Sequence, residues 1–450
     1  MAGSRGEFSS RFGFVMAASG SAVGLGNIWG FPTQAASNGG AAFLLVYLLL
    51  AFLLAYPALM AELILGRHAH SNSVAALRRV SGRRVTASIG ALTGVTGLVV
   101  AALILSFYAI VAGWMIAFCL SAFATLAGHT ELSNWLTAFG LSRNILFLIV
   151  FMALTIGIVS AGVHDGIERW SRRLMPALLI TLVALVLYVL TLEGAIEGLK
   201  VYLMPDFSRV LSPHLVLDAL GAAFFSLSLG VGTMLIYGSY ISDQENLPLL
   251  GGIVTLVDVC IAVLAGFLVL PAMYVALHNG VEIYTASGAL LSEDTLIFTV
   301  LPELFATMGL PGVLVALVFF FLMSIAALTS SISMLEAPVA YVTEEYGTGR
   351  RLTAWMIGGL IACVSCTILS NFDTLFGFII SLTTRYSQPL LGFMFCIYAG
   401  WVWRRDSLLQ ELRKGYPDVH TGLFWKIWPW YVKVVCPLII LAIFAQSLLG

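Results

Sequence analysis

The sequence predicts an all-α polytopic membrane protein with 11 transmembrane helices in a 5+5 inverted repeat, helices 1 and 6 being broken at mid-membrane. Three observations carry this. Of 450 residues, 60% are hydrophobic and 10% charged, against about 25% charged in a soluble domain, and the mean hydropathy is +0.98. Apolar runs of about 20 residues, enough to cross a hydrocarbon layer of roughly 30 Å, recur along the whole chain. Two of those runs are interrupted by glycine clusters. The composition excludes a soluble enzyme, a nucleic-acid-binding protein and a disordered scaffold, and a net charge of −1 gives a polyanion nothing to hold. Runs of this length also exclude a β-barrel, whose strands alternate over about ten residues.

Eleven spans follow, at about 12–35, 41–65, 88–123, 144–163, 174–192, 214–240, 249–277, 311–342, 352–371, 375–403 and 430–449. Residues 1–11 form a cytoplasmic N-terminal segment, 12–192 the first repeat (helices 1–5), 214–403 the second (helices 6–10), and 430–449 an additional helix 11. Basic residues accumulate in cytoplasmic loops. With the N-terminus inside, 17 of the 22 Lys and Arg fall in inner loops, three (Arg143, Lys200, Arg209) in outer loops, and Arg385 and Lys433 within spans. The N-terminus is therefore expected in the cytoplasm and the C-terminus outside. The first segment lacks the compact apolar core and Ala-x-Ala exit of a cleaved signal peptide. The CxxC of Cys363 and Cys366 lies inside a span without partner ligands and reads as packing. His68 and His70 read as solvated and not as a metal pair.

The first break is GSAVGLGNIWGFP, with Gly20, Gly24, Gly26, Gly30 and Pro32; the second is FFSLSLGVG, with Ser226, Ser228, Gly230 and Gly232. Each helical glycine costs about 1 kcal/mol relative to alanine. Backbone groups opened in lipid must line a cavity or meet a ligand, although one glycine cluster alone would equally serve close helix packing. Their placement, on the first helix of each five-helix block, is the mark of an inverted-repeat transporter whose site lies between them. Half-helix N-termini there face an anionic group and freed carbonyls a cation. The ionisable residues within spans, Glu62, Asp258, Glu336 and Arg385, are functional candidates. Glu62 suits the capping of freed amides as well as transport chemistry, while a buried Asp258 needs a cation or a proton.

Three motifs in order, AVGLGNIWGFPTQAASNGGAAF, FFSLSLGVG and ALTSSIS at 327–333, resemble the neurotransmitter:sodium symporters over nearly the whole chain, and most nearly their bacterial amino-acid members. The resemblance implies the fold of the bacterial leucine transporter, an amino-acid site beside two sodium ions, no organic cofactor, and alternating access by movement of a four-helix bundle. One sodium site would use the carbonyls of Gly20, Val23 and Ala326 with the hydroxyls of Thr329 and Ser330, an oxygen-only set suited to a hard cation. The other would use Ala22, Asn27 and Ser226 together with the substrate carboxylate. Gly24, Leu25 and Gly26 would offer amides to that carboxylate and Tyr108 its hydroxyl. Ser21, Ile104, Phe225, Ser228, Val231, Ser330 and Met334 would line the side-chain pocket, with Phe225 and Tyr108 as its lid. Arg5, Ser239, Tyr240 and Glu344 match the family's inner gate. Read without the family, Tyr108 also fits an ordinary core tyrosine, and Thr329 and Ser330 hydroxyls that bond back to the preceding helical turn.

The chain departs from the family in four respects. Gly30 stands where an arginine is usual, and Phe376 or Gly377 where its aspartate partner is expected, with Asp373 close by; loss of both partners predicts an outer gate without that ion pair, resting on the aromatic lid. Asp258 falls at a position of the first sodium site, and Ala262 and Ala222 replace polar residues of a chloride site, so a fixed carboxylate supplies the negative charge and transport is expected to be chloride-independent. Val231 and Met334 point to neutral aliphatic or larger amino acids. Arg385 is either a partner for Glu336 or another buried acid, a side chain snorkelling toward an interface, a substitute for the missing gate arginine, or a contact for an acidic substrate. The resulting expectation is a sodium-coupled importer of a neutral amino acid in the bacterial inner membrane, not an enzyme, acting as a monomer or homodimer with the lipid bilayer and no nucleic acid as surroundings. A proton-coupled transporter and a non-transporting amino-acid sensor on the same scaffold are the alternatives.

Overall fold

The computed structural model describes residues 6–204, 212–284, 291 and 295–449. Its regular elements are helices. Among the described residues eight are long and apolar enough to cross a bilayer: Ala41–Ala69, Arg84–Leu126, Leu141–Ser160, Val163–Val189, Leu247–His278, Leu310–Tyr346, Arg350–Ser370 and Leu423–Ala442. A ninth results if the pair Arg11–Ala22 and Gly26–Ser37, bent by 59°, is one span. Besides that bent first span, two of the eleven expected spans are not single long helices. The sixth is two pieces, Pro213–Ser226 and Thr233–Gly238. The tenth is a succession of Phe372–Ile380, a π-helical Ser381–Ser387, Gln388–Ile397 and a π-helical Tyr398–Val402.

The breaks follow from local chemistry. The first helix begins at an N-cap serine, Ser10, whose Oγ accepts from the Gly13 amide at 3.0 Å. It stops at Val23, whose extended backbone (φ −71°, ψ 101°) ends the helical ladder. The sixth span stops where Ser228 (φ 51°), Gly230 (φ 84°) and Gly232 (φ 78°) take left-handed conformations. Glycine at 230 is required twice over, because a Cβ there would also lie 2.2 Å from the Gln388 carbonyl oxygen.

Two long helices flank these breaks. Arg84–Leu126 and Leu310–Tyr346 pack along one another, the first presenting Ile104 and Tyr108 and the second Thr329, Ser330 and Met334. Thr233–Gly238 lies so close to Ala41–Ala69 that a Cβ on Gly66 would meet the Leu235 carbonyl at 1.9 Å. Such small-residue contacts are how helices approach in a bilayer, where apolar burial alone gives no drive. The outward surface is correspondingly apolar, with Leu92, Phe123, Ile180, Leu360 and Leu438 all more than half exposed.

Candidate functional site

The two breaks meet in the interior. At the first, the Gly24 amide donates to Asn27 Oδ1 (3.2 Å) and the Leu25 amide to the Tyr108 hydroxyl (3.3 Å). At the second, the Gly230 amide donates to Glu62 Oε1 (2.7 Å), while Gln388 Nε2 donates to the Leu229 carbonyl (2.8 Å). Ser228 Oγ crosses to the Ser21 carbonyl at 2.9 Å and ties one break to the other. Side chains thus answer backbone groups that the broken helices leave unpaired. Glu62 takes the capping role open to it.

A cavity of about 30 Å³ lies between the breaks, lined by Ala22, Gly24, Leu25, Gly26, Asn27, Ile104, Tyr108, Phe225, Ser228, Val231, Ser330, Met334 and Gln388. Most of the residues expected at a substrate pocket are thereby brought together. Ser21 is not among them: its hydroxyl turns away to donate to Ser333 Oγ at 2.7 Å. Ser226 lies just outside, on the wall of a larger vestibule. Gln388 was missed: attention went to the charge of Arg385 three residues earlier, and an uncharged glutamine beside it drew no role. The π-helical turn before it, a frequent companion of functional sites, has no signature in composition.

Two clusters of oxygens border the cavity. In one, Asn27 Nδ2 donates to Ser226 Oγ (2.6 Å) and to Asp258 Oδ1 (2.7 Å), and Ser226 Oγ donates to Asp258 Oδ2 (2.6 Å). Tyr47 donates to Ser226 Oγ at 3.2 Å, a member that sequence reasoning missed. Asp258 is 1% exposed. A carboxylate so buried calls for positive charge, and the surrounding donors are neutral. In the other cluster, Ser330 Oγ donates to the carbonyls of Gly20 (3.2 Å) and Val23 (3.1 Å), and Thr329 Oγ1 to those of Ala326 and Ile325 (both 3.1 Å). Thr329 bonds back within its own helix, whereas Ser330 reaches across. These bonds gather the five expected oxygens in two groups, Ser330 with Gly20 and Val23 and Thr329 with Ala326; all are hard donors, and the set fits a cation that takes over the carbonyl lone pairs while the hydroxyls turn their oxygens to it and keep their protons.

Above the cavity opens a vestibule of about 680 Å³. Phe225 stands between the two spaces, lining both, and is 39% exposed. Gly30, Phe376 and Gly377 all line this vestibule. Where an ion pair was expected to be lost, Phe376 stacks on Phe372 (centroids 4.4 Å) and meets Phe107 edge-on (6.1 Å). Arg385 also lines it. The reading of Arg385 as partner to Glu336 is corrected: Glu336 is held by Arg350 and by the Tyr240 hydroxyl (2.5 Å).

The opposite face is shut. Phe8 is buried edge-on against Phe14, Tyr237 and Tyr240, and its amide donates to the Tyr240 carbonyl at 3.0 Å. Glu168 gathers the Ser9 amide (2.8 Å) and the hydroxyls of Ser9 (2.6 Å) and Ser10 (3.2 Å). Of the expected inner gate, Arg5 lies outside the described residues. Glu344 accepts from the Asn72 amide (2.9 Å) and the Ser71 hydroxyl (3.1 Å), and Ser239 accepts at its carbonyl from His70. His68 is not solvated as expected: it lies 3.2 Å from Glu411 and against Trp403. Burial raises the Glu411 carboxyl, but the His68 hydrogen bond and the charges of Arg67 and Lys414 outweigh it and hold the group down to about 2.

A cavity where two helix breaks meet, with oxygen clusters beside it, marks a membrane transporter of the broken-helix class. The chain belongs to the sodium:neurotransmitter symporter family, whose sequence model matches residues 5–138 and 127–450. It is 34% identical to the sodium-dependent transporter YhdH of Bacillus subtilis, over 97% of this chain and 96% of that protein. It is 32% identical to a sodium-dependent transporter of Haemophilus influenzae, over 99% and 98%. The crystal structure of MhsT in complex with L-phenylalanine superposes with a TM-score of 0.84 at 33% identity, covering 98% of this chain and all of that one. The protein is therefore a multi-pass, sodium-dependent membrane transporter by family.

Proposed function

We propose that this chain is a sodium-coupled, chloride-independent importer of neutral amino acids, working by alternating access. The observation that carries the reading is the junction of the two breaks. A cavity bordered by the Gly24–Gly26 backbone and the Tyr108 hydroxyl can take a carboxylate, and it adjoins two all-oxygen clusters fit for cations. MhsT, of the same fold, is seen with an amino acid.

In this reading the cluster of Gly20, Val23, Ala326, Thr329 and Ser330 holds one sodium ion, and Ala22, Asn27, Ser226 and Asp258 hold the other with the substrate. Asp258 supplies the fixed negative charge that makes chloride unnecessary. The open vestibule and shut N-terminal face are the outward-facing state, with the N-terminus cytoplasmic, Ser239, Tyr240 and Glu344 at the inner gate, and two repeats, 12–192 and 214–403, followed by helix 430–449. In this reading the bent first, the broken sixth and the segmented tenth helices each count as one span, making eleven with the eight long helices. The protein resides in a bacterial inner membrane.

Thermal stability of the purified protein against a panel of amino acids tests this, first in sodium and then in potassium. A ligand at a hundredfold excess over its Kd stabilises the folded state by about 2.7 kcal/mol. Shifts confined to neutral amino acids and to sodium are expected, unchanged when gluconate replaces chloride. Equal shifts in both cations overturn sodium coupling. Full uptake by Asp258→Ala in chloride-free buffer overturns the role given to that carboxylate.

A further inference from the structure

We infer that Gln388 is a specificity-determining residue of the substrate site, its amide oxygen accepting a hydrogen bond from an N–H or O–H on the substrate's side chain. The inference rests on the transport reading above and names the substrate class within it.

Gln388 opens the helix Gln388–Ile397 directly after the π-helical turn and is 3% exposed. Its Nε2 donates to the Leu229 carbonyl, one of the groups freed by the second break. That bond fixes the orientation of the amide, since the flipped arrangement would set one oxygen against another. Oε1 is then left buried with no hydrogen-bond partner. A buried acceptor without a donor is costly, and folded proteins keep few of them. Capping Leu229 needs only the NH2 group, so the cap does not account for the oxygen.

The place of the side chain says what the donor is. Gln388 lines the central cavity and also, on its other side, a second cavity of about 170 Å³ beside Phe225 and Arg385. The substrate's carboxylate belongs at the Gly24–Gly26 backbone, so the part that meets Gln388 is the side chain. Ile104, Val231 and Met334 give the cavity apolar wall, while the hydroxyl protons of Ser228 and Ser330 are spent on the carbonyls of Ser21 and of Gly20 and Val23. A side chain bearing a hydroxyl, an amide or an indole N–H completes the acceptor. An aliphatic side chain leaves it unpaired, and a carboxylate sets lone pairs against it. A site built to bond a polar substrate group rejects the isostere lacking it far more strongly than an apolar pocket rejects a missing methylene.

The test is affinity of the full-length protein in sodium for near-isosteric pairs: valine and threonine, leucine and asparagine, phenylalanine and tyrosine. In at least one pair the donor-bearing member binds on the order of tenfold tighter. Gln388→Met, of similar length without polar atoms, abolishes that preference by weakening the donor-bearing member alone. Gln388→Glu keeps an acceptor and loses the bond to Leu229, so the preference survives while thermal stability falls. A wild-type protein without preference in any pair overturns the inference, as does equal weakening of both members by Gln388→Met. If Gln388→Met does not fold, loss of the preference in Gln388→Glu overturns it and retention supports it. Binding of no amino acid at all in sodium overturns the transport reading, a different failure from amino-acid binding without discrimination.

Discussion

The two faces of this molecule are built on different physics. On the vestibule side, Gly30 faces a wall that includes Phe107, Phe376 and Arg385, and aromatic contacts stand where a charge pair was expected. On the N-terminal side, buried charge is dense. Arg67, fully buried, donates through Nε to Glu411 Oε1 (2.8 Å) and through Nη1 to the Glu245 carbonyl (2.7 Å); Arg350 pairs with the equally buried Glu336. Dispersion and aromatic contacts are short-ranged, weakly directional and tolerant of sliding. A buried ion pair is the opposite: it holds one geometry and is costly to half-break. One face is therefore set to open and close through graded states, and the other to open as a unit.

The largest effect should come from the buried pair on the N-terminal side. Arg350→Ala leaves Glu336 buried with only the Tyr240 hydroxyl, and about 3–5 kcal/mol of stability should be lost. Replacing both partners with methionine should recover most of it, because no charge is then stranded. Thermal unfolding of the single and double variants reads this, and equal losses in both would break the contrast between the faces.

Next in size is Glu411, which lies outside the spans. Its carboxyl is held at about 2 against an ordinary value near 4.5. A depressed carboxylate contributes stability that is complete above the unfolded value and fades as pH falls toward the folded one. Glu411→Gln should therefore trail the wild type by a constant margin from pH 8 to 5, with the gap narrowing between about pH 4.5 and 2. Lys414, one of the partners, is 39% exposed, so solvent screening reduces the full-shift figure to about 2 kcal/mol. A gap that widens on acidification would show the sign to be wrong.

How much of this was legible in sequence differs between the faces for the same reason. The breaks were legible because glycine and serine inside an apolar span have few explanations. The loss of Gly30's partner was legible because a charge missing from a motif is visible. The N-terminal network was mostly not legible. Glu168 and Arg350 sit at helix ends and Glu411 in the short helix Arg405–Gly415 between spans, where charges are ordinary, and only the fold brings Glu411 to Arg67, 344 positions away. Arg350 next to Glu336 was in principle visible at a spacing of 14 residues, but a turn with Gly347 in the left-handed region separates them. Gln388 and Tyr47 carry no signal at all; they matter only because of what a distant backbone leaves unpaired.

A third test acts on the vestibule side. Phe376→Ala removes the stack on Phe372 and the edge contact with Phe107. These contacts are made with the vestibule open, Phe372 and Phe376 on one helix and Phe107 on another. Aromatic pairs are worth about 0.5–1.5 kcal/mol beyond their burial, so the open population should fall by roughly 2–10-fold in a two-state equilibrium. Alkylation of a cysteine placed at Gln34, which lines the vestibule, should slow accordingly. An unchanged rate would mean that the aromatic wall does not set the open state.

The smallest effect separates the faces most directly. Raising ionic strength from 0.1 to 1 M shortens the screening length from about 10 to 3 Å. With choline as the added cation, sodium occupancy is left alone. Arg11 pairs with Glu245 at 2.6 Å, with side chains 66% and 22% exposed, and such a pair is worth 0–1 kcal/mol at most, nearly all of it open to screening. Labelling of a cysteine behind the Phe8 plug should therefore rise by less than about fivefold, while that of the Gln34 position should not move, because stacked rings carry no net charge to screen. Equal salt sensitivity on both sides would mean that Arg385, a cation on the vestibule wall, takes part in closing it. The aromatic gate would then be electrostatic after all, with its charge moved to another helix.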